Sequence, residues 1–331
     1  MKLHIGCLAM VCCLLTACQP TSAPYERTGF GLDTVVGVTI YDGAAQAAAD
    51  ACFDELERLE SLLSVTRDGS DIDRINRSVG TPIVVSAETT ELLTLGCEVA
   101  SRSQGAFDIT VRPLTALWDF SADTPTVPEM SALQAACAQV DYRNITVEGQ
   151  TVTLANGGIE LGGIAKGYIA DRLRDVLAAH NVTSAVIDLG GNIVAHGGKN
   201  GDDFRIGIKD PANPAALRAI VRVQDCAVVT SGTYERGFML DGVRYHHLLD
   251  PNNGMPVQNG LASVTIVAEE SAVADALSTA CFVMGEQASQ ELLVAYGAQA
   301  LFIYEDGRLS TTSGLQVIDR NDACPEFSPG N

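Results

Sequence analysis

The sequence predicts an α+β domain in which antiparallel strands and long helices are interspersed. Two observations predict this fold class. Segments with alternating apolar residues lie between segments of helical periodicity along the whole chain, and glycine-containing turns join several strand-like runs into hairpins. The chain has 331 residues, of which 47% are hydrophobic and 19% charged, a composition that supports a sizeable core.

The first half of the predicted domain combines three helices with two strand regions. The long segment 44–64 is amphipathic, and the next helix stops at Gly105. In order, the predicted elements are a strand at 33–42, a helix at 44–64, a turn-rich stretch at 65–78, helices at 87–103 and 129–139, and a hairpin at 144–161.

The second half begins with a helix and continues mainly as strands. Glycine turns separate the strand-like runs, as expected for antiparallel neighbours. The predicted elements are a helix at 165–179, strand-like pieces at 184–198, 204–211, 219–232 and 244–251, a strand at 263–269, a helix at 271–285 and a hairpin at 300–314.

The N-terminus has the pattern of an export signal. Lys2 precedes an apolar run that is too short to span a bilayer, and "LTAC" ends at Cys18. This tetrapeptide resembles a bacterial lipobox, in which the cysteine is lipidated and becomes the new N-terminus; a plain signal peptide with a chance cysteine is the alternative. We therefore predict a signal at 1–18, a tether at 19–30, one domain at 31–321 and a tail at 322–331.

Charge and cysteine content restrict the partners and the chemistry. The net charge of −20 opposes nucleic acid and anionic lipid headgroups, so a polyanionic substrate must meet a local cation or a metal. Most cysteines of the domain lie on apolar stripes of predicted helices, where a free thiol behaves as a small hydrophobe, so we expect mainly reduced thiols.

The stretch "LGGIAKGYIAD" at 161–171 indicates an anion site. It lacks the residues of a P-loop or a dinucleotide fingerprint, but Gly162 and Gly163 turn the chain after Glu160, and Lys166 falls in the first helical turn, whose free N–H groups favour an anion. A simple strand-to-helix turn with a surface lysine is the alternative.

Two further patterns supply metal ligands or a base. Asp275 and Thr279 lie four residues apart on one helix face, and their hard oxygens suit Mg²⁺. The adjacent His246 and His247 point to opposite faces if the chain is extended, so one of them enters a given site and can act as a base; a satisfied structural histidine is the alternative.

The segment "SQGAFDITVRPL" at 103–114 permits two interpretations. Its alternation fits a strand with a buried aromatic residue, Phe107. Asp108 can also accept hydrogen bonds from a ligand. The chain has no G-x-S-x-G elbow with a Ser-His-Asp set, so acyl hydrolysis has no support.

Six motifs in order resemble the ApbE family of FAD:protein FMN transferases over about residues 30–305. These are "GAFDIT-x-x-PL-x-x-LW-x-F", "LGGIAKGYIAD", "LGGN", "VTSGTYER", "YHHLLDP-x-x-G-x-P" and "ADALSTA". The resemblance implies an ApbE-like (T-fold-like) single domain of antiparallel sheets with packed helices. It also implies a Mg²⁺-dependent enzyme that attaches the FMN half of FAD to a Thr or Ser hydroxyl of a partner flavoprotein and releases AMP.

The resemblance also assigns site residues. It implies His247 as the general base and metal ligation by the Gly163 carbonyl, where the family often has Ala, together with Asp275 and Thr279. The FAD contacts that it implies fall on Leu32, Thr66, Ala106, Phe107, Asp108, Glu160 and Lys166.

Two departures from the family pattern bear on the reaction. Thr66 stands where the family usually has a tyrosine able to stack on flavin or adenine, and "DPNNG" replaces the usual "DP-x-TG". An FAD pyrophosphatase that yields FMN and AMP, and a non-catalytic lipid-anchored flavin-binding protein, are the alternatives. The acceptor implied is a subunit of a membrane electron-transport complex, and the location implied is the periplasmic face of the inner membrane.

Overall fold

The computed structural model describes residues 23–199 and 201–319. Within this part of the chain the helices are α1 (Ala45–Leu63), α2 (Asp71–Arg77), α3 (Ala87–Arg102), α4 (Arg112–Thr115), α5 (Met130–Cys137), α6 (Ala165–Ala179), α7 (Ser271–Met284) and α8 (Gln290–Ala295), with a 3-10 turn at Tyr142–Asn144.

The strands are short, and every pair of them is antiparallel. They are β1 (Tyr25–Gly31), β2 (Thr34–Ile40), β3 (Ile83–Val84), β4 (Ile145–Glu148), β5 (Thr151–Leu154), β6 (Ala185–Leu189), β7 (Asn192–His196), β8 (Phe204–Asp210), β9 (Asn213–Val223), β10 (Cys226–Gly232), β11 (Gly237–Leu240), β12 (Val243–His246), β13 (Leu261–Ala268), β14 (Gln299–Tyr304), β15 (Leu309–Thr311) and β16 (Val317–Asp319).

A sheet of eight strands forms the centre, in the order β1-β2-β6-β7-β10-β13-β14-β15. The helices α1, α6 and α7 pack on one face of this sheet and enclose the main apolar core. The smaller sheet β16-β9-β8 covers the other face through a second apolar cluster. Because both faces are covered, all eight residues of the central strand β13 are buried.

A third apolar cluster lies outside these layers, around Trp118. It joins α4 and α5 to the two-stranded sheet β11-β12. The indole N–H of Trp118 donates to the Gly254 oxygen at 3.0 Å, which fixes the ring beneath the loop that follows His247.

The predicted fold class is confirmed. The four long helices begin and end within two residues of the predicted bounds, and β4 and β5 form the hairpin predicted at 144–161. The five cysteines of the described part are free thiols, in agreement with the prediction: Cys52, Cys97, Cys137, Cys226 and Cys281. In the described residues no helix is long and apolar enough to cross a membrane.

The tether prediction was wrong at its C-terminal end. Residues 25–30, placed in the tether, belong to β1, which pairs with β2 along its whole length. A hairpin partner and close contacts of Gly29 and Gly31 with helix α1 order a strand whose own sequence is polar. The predicted signal at 1–18 and tail at 322–331 lie outside the described residues.

Three local predictions also need correction. The turn-rich stretch contains α2, whose N-cap Ser70 accepts from the N–H of Asp73. Residues 107–111 form no strand, because Asp108 accepts from the N–H of Thr110 two residues on, which turns the chain. Glu160 lies after the hairpin β4-β5 in a segment without strand structure, and its N–H donates to the Ile109 oxygen of the segment 107–111.

Candidate active site

The loop of the stretch 161–171 lies at the N-terminus of α6. Gly162 and Gly163 lead into the helix, and its N-cap, Ile164, has no side chain able to satisfy the free N–H groups. The Lys166 ammonium donates to the Gly162 oxygen at 3.3 Å and folds back over the loop. The loop therefore combines a lysine with a helix N-terminus, as predicted for an anion site.

Helix α7 crosses α6 at this point in very close contact. A Cβ atom on Gly167 would lie 2.2 Å from the Ser271 backbone oxygen, so only glycine allows the approach. The crossing brings the Asp275 carboxylate to α6, where its Oδ2 accepts from the Gly167 N–H at 2.9 Å. A carboxylate of α7 thus serves as the missing cap of α6.

Asp275 is a buried carboxylate beside a lysine. Burial raises the pKa of its carboxyl, while the Lys166 ammonium, the Gly167 N–H and the Asn192 amide favour the ionised form. Asn192 is itself held by Ser271, whose hydroxyl donates to the amide oxygen at 2.6 Å. A cation beside Asp275 would offset the cost of keeping this charge buried.

Thr279 and Gly163 complete the oxygen set. Thr279 alone among Ser271–Phe282 is not buried, so its hydroxyl is the polar group that this part of α7 presents to the site. A Cβ atom on Gly163 would lie 3.4 Å from Thr279 Oγ1 and 3.2 Å from the Phe107 ring. These distances place Gly163 beside Thr279, and an alanine at position 163 would require the Phe107 ring to move by a few tenths of an ångström.

The donor set fits Mg²⁺. Carboxylate, hydroxyl and carbonyl oxygens are the hard ligands that this ion prefers, and it usually keeps several sites for water or substrate phosphate. Three protein oxygens would leave the other positions of an octahedral ion to water or phosphate. Among the described residues there is no group of three or more His, Cys, Asp or Glu side chains that could hold a metal ion.

His247 follows β12 and faces the same loop. Burial, with smaller contributions from the His246, Arg236 and Lys166 charges, lowers the pKa of its imidazole to about 4. Its Nδ1 lies 3.3 Å from the Arg236 backbone oxygen, which can only accept, so Nδ1 carries the proton. The neutral ring therefore has Nε2 free to accept a proton.

His246 has the structural role that the sequence left open. Its Nδ1 accepts from the Leu248 N–H at 3.3 Å and its Nε2 donates to the Val257 oxygen at 3.0 Å, so both nitrogens are in use. The ring is buried and stands edge-on to Phe282. Burial lowers its pKa to about 4, which keeps the ring neutral.

Sequence reasoning missed Glu235 and Arg236, although both lie in the quoted motif "VTSGTYER". Desolvation of the Glu235 carboxyl by neighbouring atoms raises its pKa to about 7; the Lys166 ammonium opposes this shift, and the Asp275 carboxylate acts in the same direction. The Glu160 carboxyl interacts with Arg112 and with Arg236, so the carboxylates of Glu160 and Glu235 share the Arg236 cation. The only signal in the sequence was the pairing of adjacent opposite charges.

The segment 106–108 packs along the same loop. The Phe107 ring contacts Gly163, and the backbone of Ile109 accepts from Glu160. Asp108 is buried, and its oxygens accept from the N–H and hydroxyl of Thr110 and from the Tyr142 N–H. The Asp108 carboxylate therefore stabilises the shape of this segment. Ala106, two residues before it, is half-buried.

Leu32 and Thr66 lie further out. Leu32 and Asp33 form the turn between β1 and β2, both with positive φ, and the Leu32 N–H donates to Glu60 at 3.0 Å. This turn lies against the "LGGN" turn, because Thr34 contacts Gly190. Both turns lie at the end of the sheet where Asn192 begins β7. Thr66 is exposed and bonds to Ser64, and its contacts do not connect it with the other predicted residues.

Comparison with known proteins identifies the same family. A FAD:protein FMN transferase of Treponema pallidum is 37% identical over 344 aligned positions, covering 96% of this chain and 94% of the relative. The crystal structure of the ApbE protein of Thermotoga maritima superposes with a TM-score of 0.81 at 34% identity, covering 88% of this chain and 97% of that one.

A second solved structure, the apo form of the flavinyl transferase ApbE of Pseudomonas stutzeri, gives a TM-score of 0.77 at 31% identity over 87% of this chain and 94% of its own. The model of the ApbE family matches residues 32–302, which include every predicted site residue except Cys18. The chain therefore belongs to the ApbE family.

Proposed function

We propose that this protein transfers the FMN moiety of FAD to a threonine or serine hydroxyl of a partner flavoprotein, with Mg²⁺ as cofactor and AMP as leaving group. Relatives that cover 96% and 83% of this chain carry the name FAD:protein FMN transferase. The observation that supports the proposal most directly is the meeting of Lys166, Asp275 and His247 at one helix N-terminus.

The position of Lys166 at the α6 N-terminus explains how an acidic protein could bind an anionic substrate. A chain of net charge −20 repels a dinucleotide, so binding requires local positive potential. The α6 N-terminus and Lys166 supply it for a pyrophosphate, and Phe107 provides an apolar surface beside them. Glu160, Ala106 and Leu32 extend this wall as further FAD contacts, and the carboxylate of Asp108 supports it from behind.

The protein's part in the reaction is positioning and proton transfer. His247 Nε2 takes the proton of the acceptor hydroxyl, whose oxygen bonds to the phosphorus on the flavin side of FAD. The bond from that phosphorus to the bridging oxygen breaks, the bridging oxygen leaves with AMP, and Nε2 then returns its proton to solvent. Lys166 holds a phosphate oxygen throughout. Mg²⁺ held by Gly163, Asp275 and Thr279 would neutralise charge on the pyrophosphate and the leaving AMP.

The location follows from the N-terminal pattern. We propose that the chain is exported and attached through a lipid on Cys18 to the periplasmic face of the inner membrane, where acceptor subunits of membrane electron-transport complexes lie. Cys18 lies outside the described residues.

One assay separates this function from its alternatives. The purified protein is incubated with FAD and Mg²⁺, with and without an acceptor domain that has a single modifiable threonine. Transfer predicts AMP together with a fluorescent acceptor band that a Thr→Ala acceptor does not give. AMP without a labelled band would indicate an FAD pyrophosphatase, and FAD binding without AMP would indicate a flavin-binding protein.

A further inference from the structure

The hairpin β11-β12 grows directly out of the candidate site. Gly237 pairs with His246, and one position further the His247 N–H donates to the Arg236 oxygen at 3.2 Å, so the ladder ends at the proposed base. The turn at the other end is formed by Asp241 and Gly242, both with positive φ, as in a tight type I′ hairpin.

The inner part of this hairpin rests on an aromatic platform. Phe238 and Tyr245 are cross-strand partners with ring centroids 5.3 Å apart, and both rings contact Trp118. A two-stranded hairpin is marginally stable alone, so this packing is what holds it in place. The hairpin is therefore a fixed projection.

The outer part exposes apolar side chains on both of its faces: Leu240 and Val243 on the face of Phe238 and Tyr245, and Met239 on the opposite face. Met239 is 59% exposed, and Leu240 and Val243, which are direct cross-strand partners, are 37% and 45% exposed. We call these three residues the apolar tip. Scattered exposed hydrophobic residues are ordinary, but three of them at the end of one fixed projection indicate an interaction surface, and a strand added at the hairpin edge would itself send side chains to both faces.

The hairpin also offers a free edge and a distinct charge. No other strand of the described residues pairs with β11 or β12. An unpaired edge can accept an extended polypeptide by adding a strand. Residues 236–247 contain two arginines and one aspartate, so this segment has a positive net charge. The whole chain, with 21 basic and 41 acidic residues, has a negative one. Methionine, aromatic residues and arginine are enriched at protein interfaces.

We infer that the hairpin β11-β12 is the docking surface for the acceptor protein, which lays an extended segment with apolar side chains along the β11 edge and across the apolar tip. This inference rests on the proposed function, because it takes the acceptor hydroxyl to His247. The path from His247 to Val243 is four residues, roughly 14 Å of extended chain, so the segment flanking the hydroxyl spans it in about four residues.

The test replaces apolar tip residues by a charge. Met239→Asp and Leu240→Asp should each raise the KM for the acceptor domain by roughly tenfold, with kcat at saturating acceptor and the Kd for FAD unchanged. The matched control is Val294→Asp on α8, where the valine is 81% exposed, which should leave all three constants unchanged.

The fluorescence of Trp118, the single tryptophan, reports whether the hairpin still packs on it, because Trp118 contacts Phe238 and Tyr245. If an Asp variant alters its fluorescence, Met239→Ala replaces it and should still raise the KM, by a smaller factor. Normal acceptor KM values in variants with unchanged fluorescence would overturn the docking surface and leave the transferase intact. Dissociation of a dimer with unchanged KM would assign the tip to self-association instead. A wild-type protein that labels no acceptor overturns the proposed function, and the inference with it.

Discussion

Asp171 on α6 and Asp275 on α7 each cap the helix that carries the other. The Asp171 oxygens accept from the backbone N–H groups of Ser271 and Ala272 at 2.9 and 2.8 Å, and Asp275 accepts from Gly167. The two helix N-termini are therefore satisfied reciprocally across one crossing. The crossing fixes the position of the candidate metal ligand relative to the anion loop.

Gly167→Ala should loosen this crossing. The added methyl would meet the Ser271 oxygen at 2.2 Å, which is backbone and cannot move alone. We expect a loss of about 1–3 kcal/mol in the free energy of unfolding, the usual cost of overpacking, together with weaker Mg²⁺ binding. Urea denaturation measures the first quantity. Gly37→Ala is the control, since nothing lies within 4 Å of its Cβ position; equal losses in both variants would contradict the close crossing.

Asp275→Asn should distinguish the role of the carboxylate charge in Mg²⁺ binding from its role as the cap of α6. The amide oxygen can still accept from Gly167, so the fold should persist, but the charge for Mg²⁺ is lost and Mg²⁺-dependent transfer should be abolished. Because burial raises the pKa of Asp275, its ionised form destabilises the metal-free protein, and the variant should melt no lower than wild type without Mg²⁺.

Asp171→Asn is the matched variant, because it changes the same group at the mirrored cap. It should keep Mg²⁺-dependent turnover while losing some thermal stability, because both Asp171 oxygens accept backbone N–H groups and an amide can replace only one of them. Isothermal titration with Mg²⁺ decides the assignment: unchanged affinity in Asp275→Asn would remove this residue from the metal site.

His247→Ala should still bind FAD and Mg²⁺ but transfer FMN slower by roughly 10²–10⁴-fold, the usual contribution of a positioned base. The physical reason is the loss of Nε2, which the Nδ1 contact with Arg236 leaves free to accept a proton. Single-turnover rates at saturating FAD measure the effect. Loss of FAD affinity with normal turnover at saturation would show that the ring positions substrate instead.

His246 and His247 should lower the stability of the protein as the pH drops from about 6.5 to 4. The carboxyls of Glu235 and Asp275 oppose this fall, because their raised pKa values act in the opposite direction. In the folded state the pKa values of His246 and His247 are lowered to about 4, whereas the unfolded residues bind protons near 6.5. At these two histidines the unfolded state therefore binds more protons in this window, and acid favours it. Urea midpoints against pH measure the slope. His246→Gln should remove the His246 part of it, even though it lowers stability at pH 7 by disturbing a buried hydrogen-bonded ring, so the difference between wild type and this variant isolates the histidine contribution.

Cys18→Ser should release the protein from the membrane fraction. The prediction rests on the apolar run and the "LTAC" pattern, since a lipidated cysteine would be the anchor. Cell fractionation and intact mass of the purified wild-type protein test it. A mature N-terminus at another residue without an acyl mass would contradict the lipobox.

Several features could be predicted because they are encoded locally. Helix α6 begins and ends at the predicted residues, and Asp275 and Thr279 share a face because four residues make about one turn. The adjacent histidines separate as expected, His246 into the core and His247 to the site. Each of these properties depends on periodicity within a short window, which a single sequence displays.

The failures share a tertiary cause. The alternation at 107–111 fits a strand, but Asp108 binds Thr110 and the Tyr142 backbone instead. Strand β1 has little apolar character of its own and is ordered by β2. Glu235 gained its raised pKa from atoms that fold around it. A local pattern does not show which neighbours will satisfy a polar group or cover a strand.

The sequence by itself determined the four long helices and α5, the hairpins β4-β5 and β14-β15, and the identity of the groups able to do chemistry. Only the tertiary structure decided that Asp275 caps α6, that the Arg236 oxygen fixes the tautomer of His247, and that the hairpin β11-β12 stands on Trp118. Residues 167 and 275 are 108 positions apart, and 118 and 238 are 120 apart. Such contacts form because packed layers bring distant backbone and side chains to within a few ångströms. The periodicity of each segment does not show which distant segment it will contact.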